Sequence, residues 1–288
     1  MTRNFTEHNA TAEVIARYDD CTDARLKQVS VAAVKHLHAF VREVEPSPQE
    51  WIQAIEFLTR VGQKCDDKRQ EFILLSDVFG VSTLVDAIAN RRPQGATEST
   101  VEGPFHMVAS PAFENGADIA RHGSGEPLVV TGRVMGLDGQ PIAGAMVDVW
   151  QADERGFYDV QKPGEVPDAN LRGLFEADGD GRFWFRSILP CYYPIPTDGP
   201  VGAMVLASGR HPYRPAHIHF VAQAPGFMPV TSHLFVEGDP YIESDVVFGV
   251  KASLIRDFVR IDDADRAAGY GVANPFHYID HTIALASA

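Results

Sequence analysis

The chain has 288 residues, enough for one large domain or for a core domain with a smaller partner. Hydrophobic residues make up 45% and charged residues 22%, ordinary globular values that exclude a largely disordered chain. The formal net charge of −14 has no run of lysine and arginine set against it, which argues against a nucleic-acid or anionic-membrane partner.

From Leu26 the apolar positions Val29, Ala33, Leu37, Phe40 and Val44 recur at three- or four-residue steps, the period of an amphipathic helix. Thr22 or Asp23 can cap its start, and Pro46 stops it. Ser47-Pro48-Gln49-Glu50 has the pattern of a capping box with proline at the first helical position, and Trp51, Ile55, Leu58 and Val61 form the stripe that follows. Further helical stretches are expected from about Lys68 to Ser76 and from Val81 to Asn90.

Near residue 93 the pattern changes. Pro93, Gly95, Gly103, Pro104, Pro111 and Gly116 punctuate a stretch of weak periodicity. A domain junction is expected there, with a helical region over residues 1–104 and a second domain over 105–288. Beyond it, Leu128–Val134, Ala145–Trp150, Arg182–Arg186, Ala216–Val221 and Ser232–Val236 read as strands, and Ser253–Val259 more weakly so. Turn signals such as Asp178-Gly179-Asp180-Gly181 separate them. The expected fold class is therefore α+β: N-terminal helices followed by a mainly antiparallel β-sandwich.

Cys21, Cys65 and Cys191 are odd in number and widely spaced, so neither a disulfide framework nor a CxxC metal motif is present. Residues Met1 to Glu7 lack the apolar segment of a signal peptide, and no apolar run is long enough to cross a bilayer. A reducing, cytoplasmic setting is expected.

The chemistry concentrates in Arg214-Pro215-Ala216-His217-Ile218-His219. On a strand, positions i and i+2 share a face, so both imidazoles can reach one metal while Ile218 packs behind them. This pattern alone fits zinc enzymes and cupins as well. A cupin would place a glutamate soon after the second histidine, yet Phe220 to Ala224 hold no carboxylate. A zinc hydrolase could recruit His233 as a further ligand. Tyr158, Tyr192 and Tyr193 lie in expected loops at strand ends, where sites are commonly built but where tyrosines also simply pack. Phenolate is a hard oxygen donor suited to a hard trivalent metal. Two phenolates with one hydroxide would neutralise Fe(III), avoiding an uncompensated buried charge.

The chain resembles the intradiol ring-cleavage dioxygenases, the catechol 1,2-dioxygenase group, from about residue 20 to near its end. The resemblance rests on Thr100-Val101-Glu102-Gly103-Pro104-Phe105, Asp148-Val149-Trp150-Gln151-Ala152, Gly156-Phe157-Tyr158, Ile188-Leu189-Pro190, the Arg214–His219 segment and Gly238-Asp239-Pro240-Tyr241. It implies a non-haem Fe(III) cofactor held by Tyr158, Tyr193, His217 and His219, and turnover of a small aromatic diol or triol with O2. It also implies that Tyr193 leaves the metal to take a substrate proton, that Arg214 stabilises charge on the ring, and that His233 lies near the iron.

Leu74-Leu75-Ser76-Asp77, Tyr193 to Gly202 and Ser244 to Lys251 are most similar to the hydroxyquinol 1,2-dioxygenases within that family. That likeness implies a ring pocket of Leu74, Asp77, Val101, Gly103, Ile195, Pro196, Arg214, His233 and Val247. Asp77 would accept a hydrogen bond from an extra ring hydroxyl, unless it only caps the helix before Val78. Glu102 looks more like the catechol enzymes, which keeps catechol and chlorocatechols as alternative substrates. The family further implies homodimerisation through the N-terminal helices and an apolar tunnel that can hold a phospholipid. A different class also stays open: Val130–Val134 followed by Asp138-Gly139-Gln140-Pro141 is similar to transthyretin-like β-sandwich binding modules, which carry no metal.

Overall fold

The computed structural model describes residues 4–66, 69–106 and 110–288, which form two compact units, Met1–Arg60 and Val61–Ala288. In the first, helix α1 (Ala10–Ala16) docks on α2 (Ala24–Val44). Arg42 Nη2 donates to the Glu7 carbonyl and to Thr11 Oγ1, at 2.9 and 2.8 Å. Asp23 caps α2 by accepting the Leu26 N–H at 2.9 Å. Glu45, at φ 47°, ends it in the left-handed region. The expected capping box opens α3 (Pro48–Gln63): Ser47 Oγ accepts the Glu50 N–H, and the Glu50 carboxylate accepts the Ser47 N–H at 2.8 Å. Helix α1, unannounced by any long apolar stripe, has only seven residues.

The second unit begins its own helices with α4 (Glu71–Val78) and α5 (Val81–Ala89). Lys68, where the third helical stretch was expected to start, lies outside the described residues. Twelve strands follow among the described residues: β1 (Ala112–Phe113), β2 (Pro127–Gly136), β3 (Met146–Gln151), β4 (Arg172–Glu176), β5 (Arg182–Ile188), β6 (Tyr193–Pro194), β7 (Tyr213–Arg214), β8 (His217–Gln223), β9 (Val230–Val236), β10 (Ile255–Arg256), β11 (Val259–Ile261) and β12 (Phe276–Leu285). Helix α6 (Pro200–Ala207) lies between β6 and β7, and α7 (Ala264–Tyr270) between β11 and β12.

The strands form a six-stranded sheet, β1-β4-β3-β8-β9-β10, a four-stranded sheet, β11-β12-β2-β5, and the small pair β6-β7. Val147, Val149, Phe220 and Leu234 of the larger sheet share one core with Leu128, Val130, Phe185 and Ile283 of the smaller. That is the expected sandwich, with one refinement. The sheets are mixed, because β2 and β12 run parallel from Leu128↔His277 to Gly136↔Leu285. The expected strand Ser253–Val259 is corrected: a 3-10 turn at Ala252–Leu254 precedes two separate short strands, β10 and β11. Among the described residues no single helix is long and apolar enough to cross a membrane.

Candidate metal centre and substrate cavity

Alternation along the central strands sends even-numbered residues of β8 and β9 into the sandwich core and odd-numbered ones to the outer face. Register then aligns Arg172 on β4, Trp150 on β3, His219 on β8 and His233 on β9 as one row across that face. His217 sits two positions before His219, opposite Phe235. The row is buried throughout, and Trp150 and His219 stack with ring centroids 4.7 Å apart.

Two loops bring the tyrosines over it. After β3, Asp153 Oδ1 accepts the N–H groups of Arg155 and Phe157, and Gln161 Oε1 accepts that of Tyr158. Gly156 (φ +82°) makes the crossing possible, since a Cβ there would lie 2.5 Å from Tyr193 Cβ. Asp159 anchors the far side: Arg172 Nε and Nη2 donate to its Oδ1 at 2.8 and 2.6 Å, and Ala169 N–H to its Oδ2. Tyr193 arrives on β6, paired with Arg214 on β7. Phe105 covers the Tyr158 ring in a stack at 4.7 Å.

The outcome is a ring of four buried donor atoms. Tyr158 Oη lies 3.1 Å from Tyr193 Oη and 2.9 Å from His219 Nε2; Tyr193 Oη lies 3.5 Å from His217 Nε2, and the two histidine Nε2 atoms are 3.0 Å apart. His217 Nδ1–H donates to the Pro215 carbonyl at 2.7 Å, which leaves its Nε2 lone pair facing the ring. Ligands about 2.1 Å from one metal sit ~3 Å from each other at right angles, the spacing found here. These residues therefore fit a metal ion.

The electrostatics agree. Burial, then the Arg214 charge, holds His217 well below the usual histidine range. Burial, then His233 and His217, does the same for His219. Both are neutral imidazoles ready to bind a cation. Burial and the nearby Tyr193 push Tyr158 well above the usual phenol range, so its phenolate requires a cation close by. Nitrogens of His217, His219 and His233 lie within 4.8 Å of one another. His233 is fully buried, its ring 4.1 Å from that of His219. Its nitrogens make no hydrogen bond of normal geometry, although the Val101 backbone lies close enough to favour its protonation slightly.

In front of the donors is a cavity of about 780 Å³. Leu74, Asp77, Val101, Gly103, Ile195, Pro196, Arg214 and Val247 all line it, together with Tyr193, Phe105 and His106. His233 does not reach its wall. Gly103 (φ +79°) separates cavity from row, as a Cβ there would stand 3.3 Å from His219 Cε1. Asp77 lines the cavity near Ser82, and the N-cap of α5, Gly80, receives no side-chain cap bond. Burial pushes its carboxyl above the usual range, against the pull of Ser82 and Arg214. Glu102 turns aside to His106 Nδ1, at 2.8 Å, and is not part of the wall.

Arg214 is buried. Its Nε and Nη2 donate to Asp245 Oδ1 and Oδ2 at 3.2 and 3.3 Å, and Nη1 lies 3.2 Å from His217 Nε2. Burial works against its charge, but Asp245, together with the nearby Tyr193 and Tyr158, more than offsets this and keeps the guanidinium protonated. Asp245, Asp159 and Arg172 were not singled out from the sequence. Asp245 lies inside the noted Ser244–Lys251 stretch, whereas nothing local marks the Asp159–Arg172 pairing.

Residues 101–276 match the family described as Dioxygenase, and residues 23–97 that described as Catechol dioxygenase N terminus. The chain belongs to the intradiol, catechol-type dioxygenases, a family of non-haem iron enzymes. A hydroxyquinol 1,2-dioxygenase from Rhizobium sp. is 54% identical over 283 residues, 98% of this chain and 96% of that protein. A 6-chlorohydroxyquinol 1,2-dioxygenase from Cupriavidus pinatubonensis is 53% identical, over 91% of this chain and 94% of its own. The crystal structure of a Pseudomonas putida hydroxyquinol 1,2-dioxygenase superposes with a TM-score of 0.92 at 44% identity, covering 98% of this chain and 99% of that one.

Proposed function

We propose that the enzyme uses Fe(III) to open hydroxyquinol (benzene-1,2,4-triol) with O2 between its two adjacent hydroxylated carbons. The product is 3-hydroxy-cis,cis-muconate, the enol of maleylacetate. The observation that carries this reading is that Tyr193 belongs both to the four-donor ring and to the wall of the cavity. A ring-sized diol in the cavity therefore meets the metal's donors directly. The 54% and 53% identical relatives that act on hydroxyquinols support the choice of substrate.

Tyr158, Tyr193, His217 and His219 would hold the iron. Bound there, Fe(III) supplies Lewis-acid polarisation of the diol oxygens and the one-electron chemistry that lets O2 react with the ring. Tyr193 Oη, at the cavity wall, accepts a proton from a substrate hydroxyl. The Arg214 guanidinium, at the cavity wall, stabilises negative charge as it develops on the ring. Leu74, Val101, Ile195, Pro196 and Val247 form an apolar wall that limits water around the reacting centre. Asp77 accepts a hydrogen bond from the third hydroxyl; catechol, lacking it, leaves a buried acceptor unpaired.

The exposed apolar side chains of α2 and α3, among them Leu37, Phe40, Val44, Trp51 and Ile55, support a homodimer formed through these helices, with a phospholipid held at the interface. The free thiols Cys21, Cys65 and Cys191 suit a cytoplasmic setting.

The test is steady-state kinetics of the iron-loaded protein on benzene-1,2,4-triol, catechol and 4-chlorocatechol. The triol is expected to have the highest kcat/KM. A higher value for catechol would transfer the assignment to the catechol enzymes.

A further inference from the structure

Asp245 is buried, and its carboxylate spends both oxygens twice over. Oδ1 accepts from Arg214 Nε at 3.2 Å and from the Val247 N–H at 3.3 Å. Oδ2 accepts from Arg214 Nη2 at 3.3 Å and from the Gly249 N–H at 2.9 Å. The turn that carries it is itself pinned, because Thr100 Oγ1 donates to the Gly249 carbonyl and Thr83 Oγ1 to the Val247 carbonyl, both at 3.0 Å. Space around the turn is tight: a Cβ on Gly249 would lie 2.9 Å from Arg214 Nη2 and 3.2 Å from Asp245 Oδ2.

An arginine guanidinium has five N–H donors fixed in one plane, so a carboxylate that grips two of them sets the direction of the others. With Nε and Nη2 engaged by one carboxylate, the Arg214 fork is held in one orientation, and Nη1 lies 3.2 Å from His217 Nε2 at the cavity wall. A flexible arginine would have to find that orientation at each turnover. A buried one without a counter-charge would be strongly disfavoured.

We propose that Asp245 is a positioning residue for ring cleavage: it aims Arg214 at the substrate and neutralises it, without touching substrate itself. This rests on the reading of Arg214 as the residue that stabilises charge on the ring. Val247, two residues on, lines the same cavity, so one turn sets both an apolar wall and the direction of the arginine. The competing role is a purely structural one, in which Asp245 merely caps its own turn through the Val247 and Gly249 N–H groups.

A double-mutant cycle separates the two, using Arg214→Gln, Asp245→Asn and the combination. Asp245→Asn keeps the size and one carbonyl oxygen for the turn but loses the charge and the two-point grip. Its kcat on benzene-1,2,4-triol is expected to fall ~10- to 100-fold, as displaced catalytic groups do, with KM changed much less. In the Arg214→Gln background the same substitution is expected to leave kcat within about 3-fold, since there is no arginine left to aim. A titration with 4-nitrocatechol, followed by its visible spectrum, is expected to show equal binding changes in both single variants. Full additivity of the kcat losses, or a lowered Tm with kcat intact, would overturn the proposal and leave Asp245 a turn cap. Should Asp245→Asn alone fail to fold, the double variant, which buries no lone charge, is compared with Arg214→Gln; a further large loss of kcat there contradicts the positioning role. An Arg214→Gln enzyme of undiminished kcat would instead remove the reading of Arg214, a result seen independently of Asp245.

Discussion

Trp150 and His219 face each other on adjacent strands, and their rings stack 4.7 Å apart at an interplanar angle of 11°. The indole is the flat wall that fixes the orientation of the imidazole, because His219 Nδ1 has no hydrogen-bond partner to do so. Trp150→Ala is expected to cost ~3–5 kcal/mol of stability, as large-to-small core substitutions do. It should also release iron on dialysis. Trp150→Phe is expected to retain most of both, since the indole N–H is itself unpartnered. Denaturant titration with iron analysis checks the pair; equal iron retention in Trp150→Ala would show that His219 needs no wall.

Gly156 carries the close crossing of the two tyrosine loops. Alanine there must adopt a φ of +82° and meet Tyr193 Cβ at 2.5 Å. The left-handed conformation alone costs ~1–2 kcal/mol, and the clash pushes Tyr193 away from Tyr158. Gly156→Ala is expected to weaken the visible phenolate-to-iron absorption and iron retention more than it lowers Tm. An unchanged spectrum would mean that the loops tolerate the methyl group.

His281 provides a pH prediction that lies away from the donor ring. It points into the sandwich core from β12, 4% exposed, and burial, followed by the Arg256 charge, pushes it down to about 3. Its folded pKa lies below the unfolded value, so the unfolded chain binds the extra proton. The contribution is complete above pH ~6.5 and is lost progressively as pH falls from there toward about 3, at up to ~1.4 kcal/mol per pH unit. His281→Phe is expected to flatten this acid limb. The urea midpoint at pH 7 and pH 5 measures it, and parallel pH dependence in the two proteins would refute it.

Asp77 tests substrate choice. Asp77→Ala is expected to lower kcat/KM on benzene-1,2,4-triol about 10-fold relative to catechol, the worth of one buried hydrogen bond to a charged group. An unchanged ratio would remove Asp77 from the account of specificity.

Much of this architecture is legible in the chain because its signals are local. The Ser47–Glu50 box is a four-residue pattern, and the alternation through His217-Ile218-His219 puts two imidazoles on one face. Other elements escaped for physical reasons. Helix α6 is apolar on all sides, with Gly199 as its N-cap and Pro200 as its first residue, so it carries no amphipathic period. In β12 the buried alternation of Ile279, His281, Ile283 and Leu285 is masked by a histidine in a core position. The partners Arg172–Asp159 and Arg214–Asp245 are 13 and 31 residues apart and meet only when strands and loops assemble. No spacing rule encodes such pairs. The alternative of a metal-free binding module falls away once the two tyrosines and two histidines converge within 3.5 Å of their neighbours.

Product identification is the most direct test of the central claim. Aerobic turnover of benzene-1,2,4-triol by the iron-loaded protein, under ¹⁸O2 and followed by mass spectrometry, is expected to give 3-hydroxy-cis,cis-muconate or its keto form with both oxygen atoms from O2 incorporated. A ring opened outside the two hydroxyl-bearing carbons, yielding a semialdehyde, would contradict intradiol cleavage at this centre.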